Sequence, residues 1–286
     1  MSMVTRLSAA LLLVALTGCS PARLLDTFVP NRGYQLVEDQ QYGTGPRQGL
    51  DLYLPDRAAL GTPFPVVVFL YGGNWRFGDK DMYRFVGQAL AARGIAVAIP
   101  DYRLYPDARY PAFVEDSALA VAWVRGHAQE FGLDASRLFL AGHSAGAYNA
   151  AMLTLNERYL TAVGVDARRD IRGFVGLAGP YDFLPLSQST RNVLGTVADA
   201  ETQPITYVDG RAAPMLLITG LNDTTVRPRN TTSLAQRVNQ RGGRAETRLY
   251  EGVGHIGLVT SLASPFQGDA PVVDEIVAFV RRAGAS

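Results

Sequence analysis

From residue 49 onward, short apolar runs rich in β-branched residues alternate with segments of helical period, the pattern of a mainly parallel sheet wrapped by helices. The runs predict strands over Leu50 to Leu54, Val66 to Tyr71, Ile95 to Ile99, Arg137 to Ala141, Gly173 to Leu177, Met215 to Thr219 and Glu246 to Tyr250. Most are apolar throughout, as strands covered on both faces should be. Val114, Ala118, Val121 and Ala122 keep a helical period, as do Val273, Ile276, Val277 and Val280, and both sets read as core faces. Residues 180 to 212 follow Gly179-Pro180 without a strong period, so they are expected to form a short cap or substrate-facing insertion. Residues 20 to 48, with Pro21, Pro30, Gly33, Gly43, Gly45 and Pro46, fit a tether leading into an edge strand.

The first residues break this pattern. A single charge, Arg6, precedes the apolar run Leu7 to Leu16, which is too short to span a bilayer and reads as a signal-peptide core. It ends in Leu16-Thr17-Gly18-Cys19, which resembles a bacterial lipobox. The expected organisation is therefore a lipoprotein signal over 1–18, a lipidated tether and edge segment over 19–48 beginning at Cys19, and a catalytic domain over 49–286. Ser20 after the lipidated cysteine points to the outer membrane, facing the periplasm. An ordinary secretory signal with a stray cysteine is the alternative.

Cys19 is also the only cysteine, so one molecule can form no internal disulfide, Cys-based metal site or other thiol nucleophile. The net charge of +1 and the absence of a basic patch argue against nucleic acid and anionic lipid as partners. Lysine occurs once, at Lys80, and arginine supplies the other strong positive charges. No metal-ligand spacing and no phosphate-binding loop is present, so no cofactor is expected.

The chemistry starts at Gly142-His143-Ser144-Ala145-Gly146, a GxSxG sequence between a strand and the helix-compatible stretch Ala147 to Leu155. Such a serine sits on a strained strand-to-helix turn, and the flanking glycines remove side chains that would strike neighbouring backbone. A serine hydroxyl needs a base to take its proton, and histidine is the usual choice. Of three histidines, His127 precedes the nucleophile and His143 occupies the turn, where its side chain is expected to point away from Ser144. That leaves His255, in the glycine-rich loop after the last central strand. The acid that holds the imidazole is expected to be Asp223, just past the strand Met215 to Thr219, with Asp182 as runner-up; either could instead be a turn or capping aspartate. Oxyanion donors are expected from the amides of Gly73 and Asn74, in Tyr71-Gly72-Gly73-Asn74-Trp75, and of Ala145. Trp75 is expected to pack under that loop.

With YGGNW at 71 to 75, DYRL at 101 to 104, GHSAG at 142 to 146 and the Asp223 and His255 loops in order, the chain resembles the α/β-hydrolase esterases and lipases typified by hormone-sensitive lipase-like, acetyl-xylan or feruloyl esterase and arylformamidase relatives. The resemblance runs from about Gln48 to the C-terminus. It implies an α/β-hydrolase fold with a mostly parallel central sheet flanked by helices. The group's oxyanion loop usually opens with histidine and often has a third glycine, whereas Tyr71 and Asn74 stand here. Backbone donors survive that change, but the loop does not assign a subgroup. Asp101 and Arg103 are read as a structural ion pair.

The expected activity is hydrolysis of a small or short-acyl carboxylic ester through an acyl-enzyme. An arylformamidase-like amide hydrolase or a small peptidase would use the same triad. A catalytically silent envelope lipoprotein on the same fold is the reading from another class. The expected partners are a small-molecule ester and, through the lipid anchor, a membrane; oligomeric state is left open.

Overall fold

The structure, a computed structural model, describes residues 29–56, 63–268 and 270–284, so the signal segment and Cys19 lie outside the described residues. Eight strands form one sheet: β1 Tyr34–Gln41, β2 Gly49–Pro55, β3 Phe64–Leu70, β4 Ala96–Pro100, β5 Leu133–His143, β6 Ile171–Leu177, β7 Met215–Gly220 and β8 Ala245–Tyr250. Their order is β1-β2-β4-β3-β5-β6-β7-β8. β1, β2 and β4 pair antiparallel, and every pair from β4 to β8 is parallel. The seven strands expected from the apolar runs are all present, and the sheet begins earlier, at Tyr34.

The helices are α1 Arg84–Ala91, α2 Ala112–Gly126, α3 Ala145–Leu155, α4 Gln188–Leu194, α5 Arg229–Gln240, α6 His255–Thr260 and α7 Val272–Gly284, with single helical turns at Ala128–Phe131 and Arg158–Thr161. α2 packs on α3, and α7 on α1 and on strands β6 and β7. From Val66 to Leu70 every residue of β3 is buried, as is every residue of β5 from Leu138 to His143. Burial without alternation requires cover on both faces, and the apolar character of these runs follows from it.

Parallel register puts the carboxyl ends of the central strands at one edge. Leu70 pairs with Gly142 across β3 and β5, His143 with Leu177 across β5 and β6, and Gly220 with Tyr250 across β7 and β8. The loops that leave these ends carry Tyr71 to Asp79, Ser144, Ala178 to Ser187, Leu221 to Pro228 and Glu251 to His255. Residues separated by as many as 184 positions therefore meet at one edge, where open α/β sheets place their sites.

Candidate active site

Ser144 stands between β5 and α3 with φ 55° and ψ −121°, a conformation that side chains other than glycine rarely adopt. Two close approaches hold it there. A Cβ at Gly142 would lie 2.5 Å from the carbonyl carbon of Gly146, and one at Gly146 would lie 2.0 Å from the carbonyl oxygen of Leu70. The Ser144 amide donates to Leu177 O at 2.9 Å, so the turn is tied to β6 and the hydroxyl is left to face the edge.

His255 Nε2 lies 2.9 Å from Ser144 Oγ, and His255 Nδ1 lies 2.7 Å from Asp223 Oδ2. A carboxylate only accepts, so Nδ1–H donates and the bare Nε2 accepts from the serine hydroxyl. Asp223 is buried. Its Oδ1 accepts from the amides of Thr225 at 2.8 Å and Val226 at 2.9 Å. Burial pushes the Asp223 carboxyl up, but the bond from His255 and the two amides outweigh it and leave the group below its ordinary range. Asp223 therefore stays ionised and fixes the imidazole. Asp182 does not meet His255: its backbone N–H donates to Asn230 Oδ1 at 2.9 Å. His127 stacks on Trp123, its Nδ1 2.8 Å from Trp123 O, far from the edge.

The segment 71–77 forms a hairpin of left-handed residues. Gly73 has φ 135°, Asn74 53° and Trp75 57°. Two such residues outside glycine cost about 1–2 kcal/mol each, so the surroundings must enforce them. Arg76 and Phe77 both donate to Gly73 O. Trp75 is buried, donates from Nε1 to Asn149 Oδ1 at 2.9 Å, and stacks on Phe113. No acceptor among the described residues takes the amides of Gly73, Asn74 or Ala145. Asn74 and Ala145 line a cleft of about 300 Å³ together with Ser144, Trp75, Phe183 and Pro185. Ala145 opens α3, so its N–H also carries the positive end of the helix.

Two sequence expectations need correction. Asp101 and Arg103 do not pair with each other. Arg103 makes a two-pronged pair with Asp116, at 2.8 Å through both Nε and Nη2. Asp101 accepts from Tyr71 Oη at 2.7 Å and the Lys80 amide at 2.9 Å, with Arg47 at 3.4 Å. The Asp116 carboxylate is fully buried and must be paired, so it takes Arg103, while Asp101 finds its donors in Tyr71, Lys80 and Arg47. Tyr71, in the position the resembled group gives to histidine, thus anchors the loop through its hydroxyl while its ring stacks between Tyr83 and Tyr102.

His143 does not turn away from the site. Its ring lies 4.7 Å from that of His255, and its Nε2–H donates to His255 O at 3.2 Å. Burial, and then the neighbouring His255, lower its pKa from 6.5 to about 3, so it stays neutral. A Cβ at residue 72 would lie 2.9 Å from His143 Nδ1 and 3.1 Å from Ser144 Cβ, which is why glycine stands there. Sequence reasoning missed His143, Asp101 and Arg47 as supports of the site, because each acts through a contact distant along the chain. Among the described residues, no group of three or more His, Cys, Asp or Glu side chains could hold a metal ion.

Comparison with known proteins agrees with this geometry. The family model BD-FAE matches residues 50–238, which include Ser144 and Asp223 and stop short of His255. The chain is 31% identical over 251 residues to a probable isoprenylcysteine alpha-carbonyl methylesterase, ICMEL1, of Arabidopsis thaliana, covering 79% of this chain and 52% of that protein. It is 30% identical to Esterase LipC of Mycobacterium tuberculosis, covering 69% of this chain and 53% of that one. The chain thus spans little more than half the length of these relatives. Esterase B of Lactobacillus rhamnosis superposes with a TM-score of 0.80 at 19% identity, covering 100% and 97% of the two chains. A hyperthermophilic esterase of Pyrobaculum calidifontis superposes with a TM-score of 0.74 at 22% identity, covering 93% and 91%. At these identities the superpositions show the α/β-hydrolase fold.

Proposed function

The chain belongs to the BD-FAE family of α/β-hydrolases, and from that premise we propose that it is a serine carboxylic-ester hydrolase in which Ser144, His255 and Asp223 form the catalytic triad. The observation that carries the reading is the unbroken relay from Ser144 Oγ through His255 to a buried, ionised Asp223, opening on a cleft with unspent amides beside it. Ser144 Oγ attacks the ester carbonyl as His255 Nε2 takes its proton. The amides of Gly73, Asn74 and Ala145 receive the developing oxyanion, each worth on the order of a hundredfold in rate. His255 then returns the proton to the leaving alcohol, and a water activated by the same imidazole releases the acyl group.

The substrate is a small or short-acyl ester. Support comes from the volume of the cleft, about 300 Å³, and from the segment 180–187, whose Phe183, Leu184 and Pro185 wall it within one short turn of chain. Rates on p-nitrophenyl acetate or butyrate should exceed those on the palmitate ester; a palmitate optimum would overturn the short-acyl reading. A parallel assay of N-formyl and peptide amides separates ester from amide hydrolysis, with esters faster in this account.

A lipid anchor at Cys19, on the outer membrane and facing the periplasm, belongs to the same proposal. It rests on Leu16-Thr17-Gly18-Cys19 following a signal-type apolar run. Among the described residues no helix is long and apolar enough to cross a membrane.

A further inference from the structure

We infer that the cleft beside Ser144 contains a subsite for an anionic group, and that the substrate is an ester carrying a carboxylate or comparable negative charge; this rests on the esterase reading above. Arg227 and Arg229 line the cleft that holds Ser144. A second hollow of about 250 Å³ adjoins it, sharing Asn74, Trp75 and Thr190, and there Arg76 is the charged lining residue. No carboxylate lines either hollow. Among the described residues none of the three guanidiniums has a carboxylate within ion-pair distance.

Arginine is abundant here, so an unpaired arginine alone would mean little. Elsewhere among the described residues, however, most arginines that line a hollow meet acids, Arg158, Arg172 and Arg244 being the exceptions. The cleft at the opposite end of the sheet has Arg125, Arg137 and Arg169 each paired, with Asp170, Asp134 and Asp170 respectively. The active-site cleft has the same kind of cation and lacks the acid. Arg76 is also held in place: its guanidinium lies 4.2 Å over the Tyr105 ring and its Nη2 donates to Ser189 O at 3.0 Å. Arg227 follows the triad acid by four residues on the same loop, and Arg229 begins α5. The loop that fixes Asp223 therefore also brings two arginines to the lining of the cleft that holds the nucleophile. Asp182, on the facing segment, is half-buried and does not line the cleft. A planar guanidinium binds a carboxylate through two parallel bonds, and a walled cleft of one sign raises the local concentration of the opposite charge.

The anion can lie on the acyl or the alcohol side of the ester, and two substrate pairs separate these. The first compares the p-nitrophenyl monoester of glutaric acid with p-nitrophenyl butyrate; the second compares 4-acetoxybenzoate with its methyl ester. The full chain in detergent should give a kcat/KM ratio favouring the anionic member of at least one pair by about fivefold or more at low salt. Raising salt to about 1 M should shrink that ratio, since the screening length falls to about 3 Å. The R227Q/R229Q double variant should bring the ratio down to about one, with R76Q lowering it less. Labelling of Ser144 by a fluorophosphonate in each variant shows that the site is folded. Ratios that neither substitution nor salt changes, in both pairs, would overturn the subsite while neutral-ester hydrolysis left the esterase reading standing. Failure to hydrolyse any of the four esters would overturn both.

Discussion

At the scale of single residues, the proposed triad should act as a unit, because Ser144 depends on His255 for proton transfer and His255 on Asp223 for its tautomer. Ser144→Ala and His255→Ala should each lower turnover by roughly 10⁴–10⁶, and the double variant should be little worse. Asp223→Asn should cost about 10²–10⁴ by presenting the wrong tautomer, whereas Asp182→Asn should cost far less, since only its amide is engaged. Steady-state kinetics on a short-chain p-nitrophenyl ester measures all five. His143 makes a separate prediction about stability. Its folded pKa of about 3 lies below the ordinary 6.5, so between those values the unfolded chain binds a proton that the folded chain refuses. Stability from this group is complete above pH 6.5 and is lost as the pH falls toward 3. His143→Gln should therefore show a shallower fall in Tm over that window than the parent, and an unchanged slope would mean that His143 is not held neutral. The sequence makes Ser144 and His255 legible because chain order and elimination suffice for them. The orientation of His143 is set by a carbonyl 112 residues away, which no local pattern encodes.

Among the elements, the turn after β3 is the most demanding piece of backbone. Gly73 stands at φ 135°, and a Cβ there would meet Phe77 O at 2.1 Å. Gly73→Ala should displace the loop and cost about a hundredfold in kcat, the worth of one oxyanion donor. Asn74→Gly should lose far less, because glycine reaches φ 53° without strain. The same turn rests on Asp101, which takes the Tyr71 hydroxyl and the Lys80 amide at once. The central strands were visible in the sequence as uninterrupted apolar runs. β1 was legible only as an edge segment without bounds, because its pairing with β2 shifts register between Val37 and Gln40, where Asp39 adopts φ 57°. A bulge of this kind interrupts the two-residue period by which a half-exposed strand is recognised. The partners of Asp101 and Arg103 escaped sequence reasoning for a related reason. Burial decides which charges must pair, and burial across the sheet is a property of the assembled fold.

For the whole molecule, the sheet edge that collects the loops is the reason one chain of modest length can hold the proposed nucleophile, base, acid and three amides in register. The proposed anchor belongs to this scale too. Diacylation with a further acyl chain buries several chains at about 0.8 kcal/mol per methylene, well beyond the marginal hold of one chain. The full-length protein should enter the detergent phase and Cys19→Ser should not; persistence in that phase would remove the anchor. Hydrolysis should continue in the Cys19→Ser protein, since every residue assigned a catalytic role lies at Gly73 or beyond. The central claim is the covalent step at Ser144. Rapid mixing with p-nitrophenyl acetate, followed by acid quench and mass analysis of the peptide containing Gly142 to Gly146, tests it directly. The account predicts a burst of p-nitrophenol matched by an acetyl group on Ser144, with neither in Ser144→Ala. Turnover without that adduct, or turnover retained by Ser144→Ala, would contradict it.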